Sequence, residues 1–153
     1  MDEKNRKILS RMEAMCSKRE YCKAEAYEKI LKYTEGDADA ADEIMESLVS
    51  DKFVDDYRYA AAFAREKSSI SGWGSVKIRF ALRAKKVGSE TIDAAFGDVD
   101  PDKADDRMRK LLEAKWKTLD GDPQGKLKLI RFALGRGYEY DQVRALVDEI
   151  CRG

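Results

Sequence analysis

The fold is decided by one stretch that occurs twice: IRFALRAKKV at residues 78–87, followed by SETI at 89–92, and IRFALGRGY at 130–138, followed by YDQV at 140–143. Each copy has apolar residues at helical spacing, a basic end, one apolar anchor and a turn that opens another helix. A weaker version occupies residues 27–33. Three copies, about fifty residues apart, predict a modular array in which each unit touches mainly its neighbours.

The rest of the chain follows the same helical spacing of three and four. Clear alternation of apolar and polar residues is missing, and so are runs of β-branched residues. We predict an all-α fold with nine helices, arranged as three tandem three-helix repeats in an elongated, curved array. The predicted modules cover residues 1–53, 54–98 and 99–153. An array of this shape offers long surfaces, which suit binding better than enclosed chemistry.

Composition favours a folded chain and excludes several kinds of site. Apolar residues make up 43% of the chain and charged residues 39%, with 30 basic residues balancing 30 acidic ones. Histidine is absent, which removes imidazole as a general base and as a metal ligand. A zinc site would have to use Cys16 and Cys22 with remote partners, so we expect the three cysteines to be small, half-buried apolar side chains. We expect no metal and no cofactor.

Targeting and membrane segments are not apparent. The first fifteen residues are charged and lack the apolar core of a signal peptide. The longest purely apolar run, Ala60 to Ala64, is far shorter than a membrane span. We therefore expect a soluble, cytoplasmic protein without membrane contact.

Paired carboxylates could suggest acid–base chemistry or Mg²⁺ binding. Asp55 with Asp56, and Asp105 with Asp106, are predicted to stand at helix starts, where acids cap backbone N–H groups and oppose the helix dipole. Ser89 is predicted to cap a further helix. No phosphate-binding loop, dinucleotide fingerprint or nucleophile elbow occurs. We therefore predict that the chain is not an enzyme.

Charge is unevenly distributed along the chain. Residues 57–88 hold eight basic side chains and one acid, a net charge of +7. Residues 37–56 carry −7 and residues 89–106 carry −6. The middle module is therefore predicted to be a basic unit between acidic flanks.

The helix that opens at Ser75 concentrates this charge. At 100° per residue, Arg79, Arg83 and Lys86 lie within roughly 60° of one another and form a cationic ridge. Such a ridge can meet phosphates or an acidic protein groove, although an ordinary solvated helix face has the same composition. We predict a surface that binds a protein partner or nucleic acid, formed by Arg58, Lys77, Arg79, Arg83, Lys85 and Lys86.

Trp73 lies between two glycines in the turn before this helix. An indole in a turn can stack on a base or anchor a partner, since aromatic residues are favoured at binding hot spots. The alternative is that Trp73 closes the end of a helical bundle. Trp73 is therefore a candidate anchor with a structural alternative.

Four segments of the chain have a recognisable order and spacing. They are residues 19–25, residues 48–60 with a leucine, an aromatic residue, two acids, an arginine and a second aromatic residue, the turn at residues 72–74 with the basic helix after it, and the ending at 131–138. Together they resemble the RecX family, the regulators of the RecA recombinase, in which residues 19–25 are similar to the entry into the second helix. In the last segment Ala133 and Leu134 look exchanged relative to the family pattern, and Gly135 stands at its usual basic position.

The resemblance implies three tandem three-helix modules and no cofactor. It implies a protein that binds in the groove of the RecA filament on single-stranded DNA and limits RecA's recombinase, ATPase and coprotease activities. We expect a monomer, and direct DNA contact remains open. The alternative function is a stand-alone helical module that binds nucleic acid through Arg79 and Arg83. The two functions differ in whether affinity requires RecA or only DNA.

Overall fold

The structure, a computed structural model, describes residues 1–153, and all of its regular structure is helical. Its nine α-helices are α1 (Glu3–Lys18), α2 (Lys23–Tyr33), α3 (Ala38–Ser50), α4 (Asp56–Glu66), α5 (Ser75–Ala84), α6 (Ser89–Phe96), α7 (Pro101–Lys117), α8 (Gly125–Gly135) and α9 (Tyr140–Arg152). A π-helical turn, Lys67–Ser71, extends α4. The predicted all-α fold is confirmed.

Aspartate side chains begin four of these helices. Asp2, Asp37 and Asp55 each accept a hydrogen bond from the backbone N–H three residues on. Asp100 does the same in front of Pro101, whose missing N–H and fixed φ suit the first helical position. The sequence prediction for Asp55 is therefore confirmed.

Two other predictions about helix starts are wrong. Gly88 is the N-cap of α6, and Ser89 is its first helical residue without a capping bond. Asp105 and Asp106 lie inside α7, one turn beyond its start, because Asp100 is the cap. Asp106 instead faces Lys110, 4.0 Å away, one helical turn later.

The repeat has a spacing of 51 residues. Glu35, Lys86 and Gly137 follow α2, α5 and α8, and all three have positive φ, at 56°, 61° and 91°. A left-handed residue here lets the next N–H bond back to the last turn of the helix. The N-caps of the following helices keep the same spacing and are Asp37, Gly88 and Glu139.

This spacing corrects the sequence alignment by one residue. The repeated letters IRFAL pair Ile78 with Ile130, but in the structure Ile78 and Leu82 are buried where Leu129 and Ala133 are buried. In this register the buried Ala133 corresponds to Leu82, the exposed Leu134 corresponds to Arg83, and Arg136 corresponds to Lys85.

Three separate hydrophobic clusters form the cores of the three units. The first lies among α1–α3, the second among α4–α6 and the third among α7–α9. The first and third units share no extensive helix–helix packing, and each is linked to the middle unit by hydrogen bonds. The predicted array of three-helix repeats is confirmed. Cys22, which precedes α2, is fully buried in the middle cluster, and the boundaries after residues 53 and 98 stay a prediction.

The middle and third units meet where α7 packs on the π-helical turn, and backbone hydrogen bonds join them beside it. The Gly74 N–H donates to the carbonyl of Arg136 at 2.8 Å, and the Val76 N–H donates to that of Gly137 at 3.0 Å. A Cβ on Gly74 would lie 2.2 Å from the backbone of Gly137, and one on Gly137 would lie 2.2 Å from the Cβ of Lys77. Two glycines are therefore required for the C-terminal end of α8 to reach the N-terminal end of α5.

We expect Gly137→Ala to lower the free energy of unfolding by about 2 kcal/mol or more, because it adds a left-handed alanine to a steric clash at the junction. Urea unfolding followed by circular dichroism measures this change. The control is Gly135→Ala, where a Cβ meets nothing within 4 Å. An alanine at this last residue of α8 should alter stability by less than about 1 kcal/mol, in the favourable direction. Equal stabilities of the two variants would contradict the tight junction.

Candidate partner interface

Arg58 joins the first two units. Its Nε donates to Glu20 Oε2 at 2.5 Å, and its terminal nitrogens donate to the carbonyls of Lys52 and Phe53 at 3.0 and 3.2 Å. A planar guanidinium suits such a fork, since its donors point in fixed directions. All three nitrogens of the Arg58 guanidinium are therefore hydrogen-bonded within the chain.

Lys85 has a similar internal role. Its ammonium lies 3.2 Å from Glu25 Oε2, and its carbonyl faces the Cys22 sulfur at 3.7 Å. Burial alone would raise the pKa of Glu25, but the Cys22 N–H and the Lys85 ammonium lower it below its ordinary value. The contact thus joins the C-terminal end of α5 to the N-terminal end of α2.

The predicted ridge of Arg79, Arg83 and Lys86 is only partly present. Arg79 donates to Asp93 at 2.6 Å and lies over the Phe96 ring, 4.4 Å from its centre. Lys86 lies beyond α5, which ends at Ala84, and its φ of 61° takes it off the helical path. The prediction that three residues share one helical ridge is wrong, because helical geometry stops before the third.

Trp73 packs between cations and an aromatic ring. Its indole meets Phe63 edge to face with centroids 6.1 Å apart, and the ammonium groups of Lys67 and Lys77 lie 4.7 and 4.2 Å from it. It is half-buried against the middle core. The arrangement favours the bundle-closing alternative over a free anchor, and Lys77 is drawn to the ring.

Arg136 and Tyr138 are the residues that the sequence reasoning missed as a junction. The Nε of Arg136 and the hydroxyl of Tyr138 each donate to the Gly72 carbonyl at 2.9 Å, and another Arg136 nitrogen donates to the Ser71 carbonyl. Both belong to the GRGY ending that resembles the family pattern. The sequence signal that could have revealed this junction is that the GRGY ending and the glycine–tryptophan–glycine turn both resemble the family pattern.

Two of the six predicted cations are exposed and make no ion pair. Arg83 lies in the last turn of α5, and Lys86 follows it in the left-handed turn. Neither contacts a carboxylate or an aromatic ring. Because their charges are not neutralised within the chain, Arg83 and Lys86 are the members of the predicted site that are free to meet a partner.

A separate cleft lies between α4 and α7. It has a volume of about 1140 Å³ and is lined by four basic and four acidic side chains. Arg65 pairs with Asp98 across it at 3.7 Å. The cleft is therefore electrically balanced and does not extend the basic surface of Arg83 and Lys86.

None of the three cysteines lies in surroundings that would make its thiol reactive. Burial raises the pKa of the Cys16, Cys22 and Cys151 thiols, so all three are protonated at neutral pH. No three of the chain's Cys, Asp and Glu side chains converge as a metal-binding group. None of the helices combines the length and apolar composition that a membrane crossing needs.

Comparison with known proteins decides the family. The second three-helix domain of RecX matches residues 55–95, and the third three-helix domain of RecX matches residues 103–147, together more than half of the chain. The chain belongs to the RecX family. Its fold agrees with the crystal structure of RecX from Lactobacillus salivarius, with a TM-score of 0.85, 18% identity and full coverage of both chains.

Curated RecX relatives differ in length from this chain. The regulatory protein RecX of Clostridium tetani is 27% identical over 131 residues, which are 82% of this chain and 59% of the relative. A RecX of Clostridium botulinum is 31% identical over 74% of this chain and 54% of its own length. The chain thus spans little more than half of these relatives. The RecX of Prosthecochloris aestuarii is 26% identical over 97% of both chains.

We expect the arginines of this RecX-family chain to differ in how much they contribute to the free energy of unfolding. Arg58→Ala should lower the free energy of unfolding by about 1–2 kcal/mol, because it removes three donors at a partly exposed junction. Arg83→Ala should change it by less than about 0.5 kcal/mol, because Arg83 is exposed and unpaired. Urea unfolding of both variants measures the difference. If Arg83→Ala is the more destabilising change, the assignment of structural and free arginines is wrong.

Tyr59 lies beside Cys22 and Glu25, where the first and middle units meet, and makes the stability of this contact depend on pH. Burial, and then the neighbouring Glu25 and Cys22, raise its pKa from 10.0 to about 12. The folded chain therefore favours the neutral phenol. Its contribution is complete below pH 10 and is lost as pH rises toward 12.

We expect the wild-type chain to lose more stability between pH 10 and 11 than Tyr59→Phe, which has no phenol to ionise. Thermal unfolding at pH 7, 10 and 11 measures the difference between the two proteins, so the titration of lysines and other tyrosines cancels. Parallel losses in both proteins would show that Tyr59 does not control this pH dependence.

Proposed function

We propose that this chain modulates RecA by binding the RecA filament on single-stranded DNA and limiting its recombinase, ATPase and coprotease activities. Family membership supports this proposal, since the matched domains are those of RecX regulatory proteins. It would act as a monomer without catalysis or a cofactor of its own. The observation that carries the proposal is the unpaired cationic end of the middle unit.

The six predicted residues then divide into two groups. Arg83 and Lys86, exposed and unpaired, would contact the filament. Arg58 and Lys85 form ion pairs with the first unit and would hold the units in the orientation that binding requires, whereas Arg79 pairs with Asp93 inside the middle unit. Lys77 and Trp73 form a packed pair whose role would be to shape the same end of the unit.

A stand-alone nucleic-acid-binding module is the second candidate. It is favoured by Arg83, because a guanidinium can hold phosphate through two parallel hydrogen bonds. Bare single-stranded DNA would then suffice for binding, and affinity would fall steeply with salt. A filament modulator requires RecA for most of its affinity. Pull-down with RecA preassembled on single-stranded DNA, compared with DNA alone and RecA alone, separates the two functions.

Reversing the free charges tests the site. Arg83→Glu with Lys86→Glu should raise the concentration needed to inhibit RecA's DNA-dependent ATPase at least tenfold. Each charge-assisted hydrogen bond is worth about 1.5–3 kcal/mol, and 1.4 kcal/mol is a factor of ten. Folding should be preserved, because Glu35 already occupies the left-handed position equivalent to Lys86.

The matched control is Lys4→Glu with Lys7→Glu, which reverses two exposed charges on α1. It should inhibit RecA as the wild-type chain does. If the Arg83 and Lys86 variant keeps wild-type helicity and inhibits at the original concentration, these residues form only a solvated face.

A further inference from the structure

Four large apolar side chains are exposed on α5 and α8. Phe80 is 71% exposed, Val76 54%, Leu127 44% and Leu134 40%. Surfaces of soluble proteins carry single exposed apolar residues freely, but contiguous groups of them mark interaction sites. We call these four residues the apolar strip.

The strip follows one face of each helix. In α5, Val76, Phe80 and Arg83 stand four and then three residues apart, which places them within roughly 60° of arc. Ile78 and Leu82 occupy the opposite, buried face. In α8, Leu127, Arg131 and Leu134 take the three positions found 51 residues later. Each helix therefore presents two apolar side chains and one arginine on this face.

The two faces are brought together at the junction of the middle and third units. The Val76 N–H bonds to the Gly137 carbonyl at 3.0 Å, and Leu134 is one turn before Gly137. The C-terminal end of the strip on α8 thus adjoins its N-terminal end on α5. The Gly137 N–H also bonds to the Leu134 carbonyl at 3.0 Å, so the two pairs of exposed apolar side chains lie on helices that meet at this junction.

The charged side chains of α5 and α8 themselves are all positive, and Glu139, the N-cap of α9, accepts a hydrogen bond from the Ser75 hydroxyl at 3.3 Å. Neither α5 nor α8 contains an aspartate or glutamate. Lys126 and Lys128 are neutralised by acids at 2.8 and 2.6 Å, whereas Arg83 and Arg131 are exposed and form no ion pair. An occupant must therefore cover apolar side chains and bring carboxylates to two arginines.

We infer that the apolar strip docks an acidic, amphipathic segment of a protein partner. Nucleic acid fits this surface less well, because Val76, Leu127 and Leu134 have no ring on which a base can stack. A protein segment supplies both elements, an apolar face over Phe80 and carboxylates for the arginines. The inference rests on the proposed function, in which the protein of the filament rather than its DNA would contribute this segment.

The test substitutes two strip residues by a polar residue that favours helix. Phe80→Gln with Leu134→Gln is compared with Ile70→Gln and Val49→Gln, two apolar residues off the strip that are 68% and 38% exposed. The control pair matches the strip pair in exposure, and circular dichroism verifies helicity in both. Fluorescence anisotropy measures the affinity of each protein for RecA filaments on single-stranded DNA and for the bare DNA.

We expect the Kd for filaments to rise at least tenfold, equivalent to 1.4 kcal/mol, in the strip variant and less than twofold in the control. Binding to bare DNA should not change. A second strip variant, Val76→Gln with Leu127→Gln, should weaken filament binding in the same direction and secures the test if the first variant loses helicity.

The outcomes separate the two proposals. If the wild-type chain binds filaments and both strip variants bind equally well, the strip inference is overturned and the proposed function stands. If the strip variants lose affinity for bare DNA as strongly as for filaments, the strip is a nucleic-acid surface and the inference is also overturned. If the wild-type chain does not bind filaments, the proposed function fails and the inference fails with it.

Discussion

Two hydrogen bonds between backbone groups set the arrangement on which the middle and third units depend. The N–H groups of Gly74 and Val76 are among those that the first turn of a helix leaves without partners, and α5 has neither a capping side chain nor an acid there. The carbonyls of Arg136 and Gly137, left over at the end of α8, satisfy them. The positive end of one helix dipole thus meets the negative end of another. Glycine at both contact points is the steric condition for this meeting.

The first junction solves the same problem with side chains. The N–H of Lys23, at the start of α2, donates to the carboxylate of Asp56 in the middle unit at 2.8 Å. Arg58 and Lys85 then add ion pairs to Glu20 and Glu25. Two of the eight cations in residues 57–88, Arg58 and Lys85, are paired in this way, because holding rigid units in line requires fixed polar contacts. The cations that stay unpaired within the chain are therefore the better candidates for contact with a partner.

The helices, their number and their grouping in threes could be predicted from sequence, because apolar spacing and aspartate caps act locally. The repeat was visible too, but its register was not, since the letters IRFAL align by identity while burial follows Leu129 and Ala133. The site was predicted less well. Local charge density located the basic unit but could not show that Arg58, Arg79 and Lys85 have partners up to 60 residues away. Trp73 likewise depended on a contact with Phe63 that only the fold reveals.

The cap that α5 receives from the third unit also affects how the chain acquires its structure. During synthesis the residues of α5 leave the ribosome well before Arg136 and Gly137, and domains fold in the order in which they emerge. Until those carbonyls arrive, the first turn of α5 has only water to bond. The first turn of α5 therefore gains these two backbone hydrogen bonds only when the end of α8 is in place.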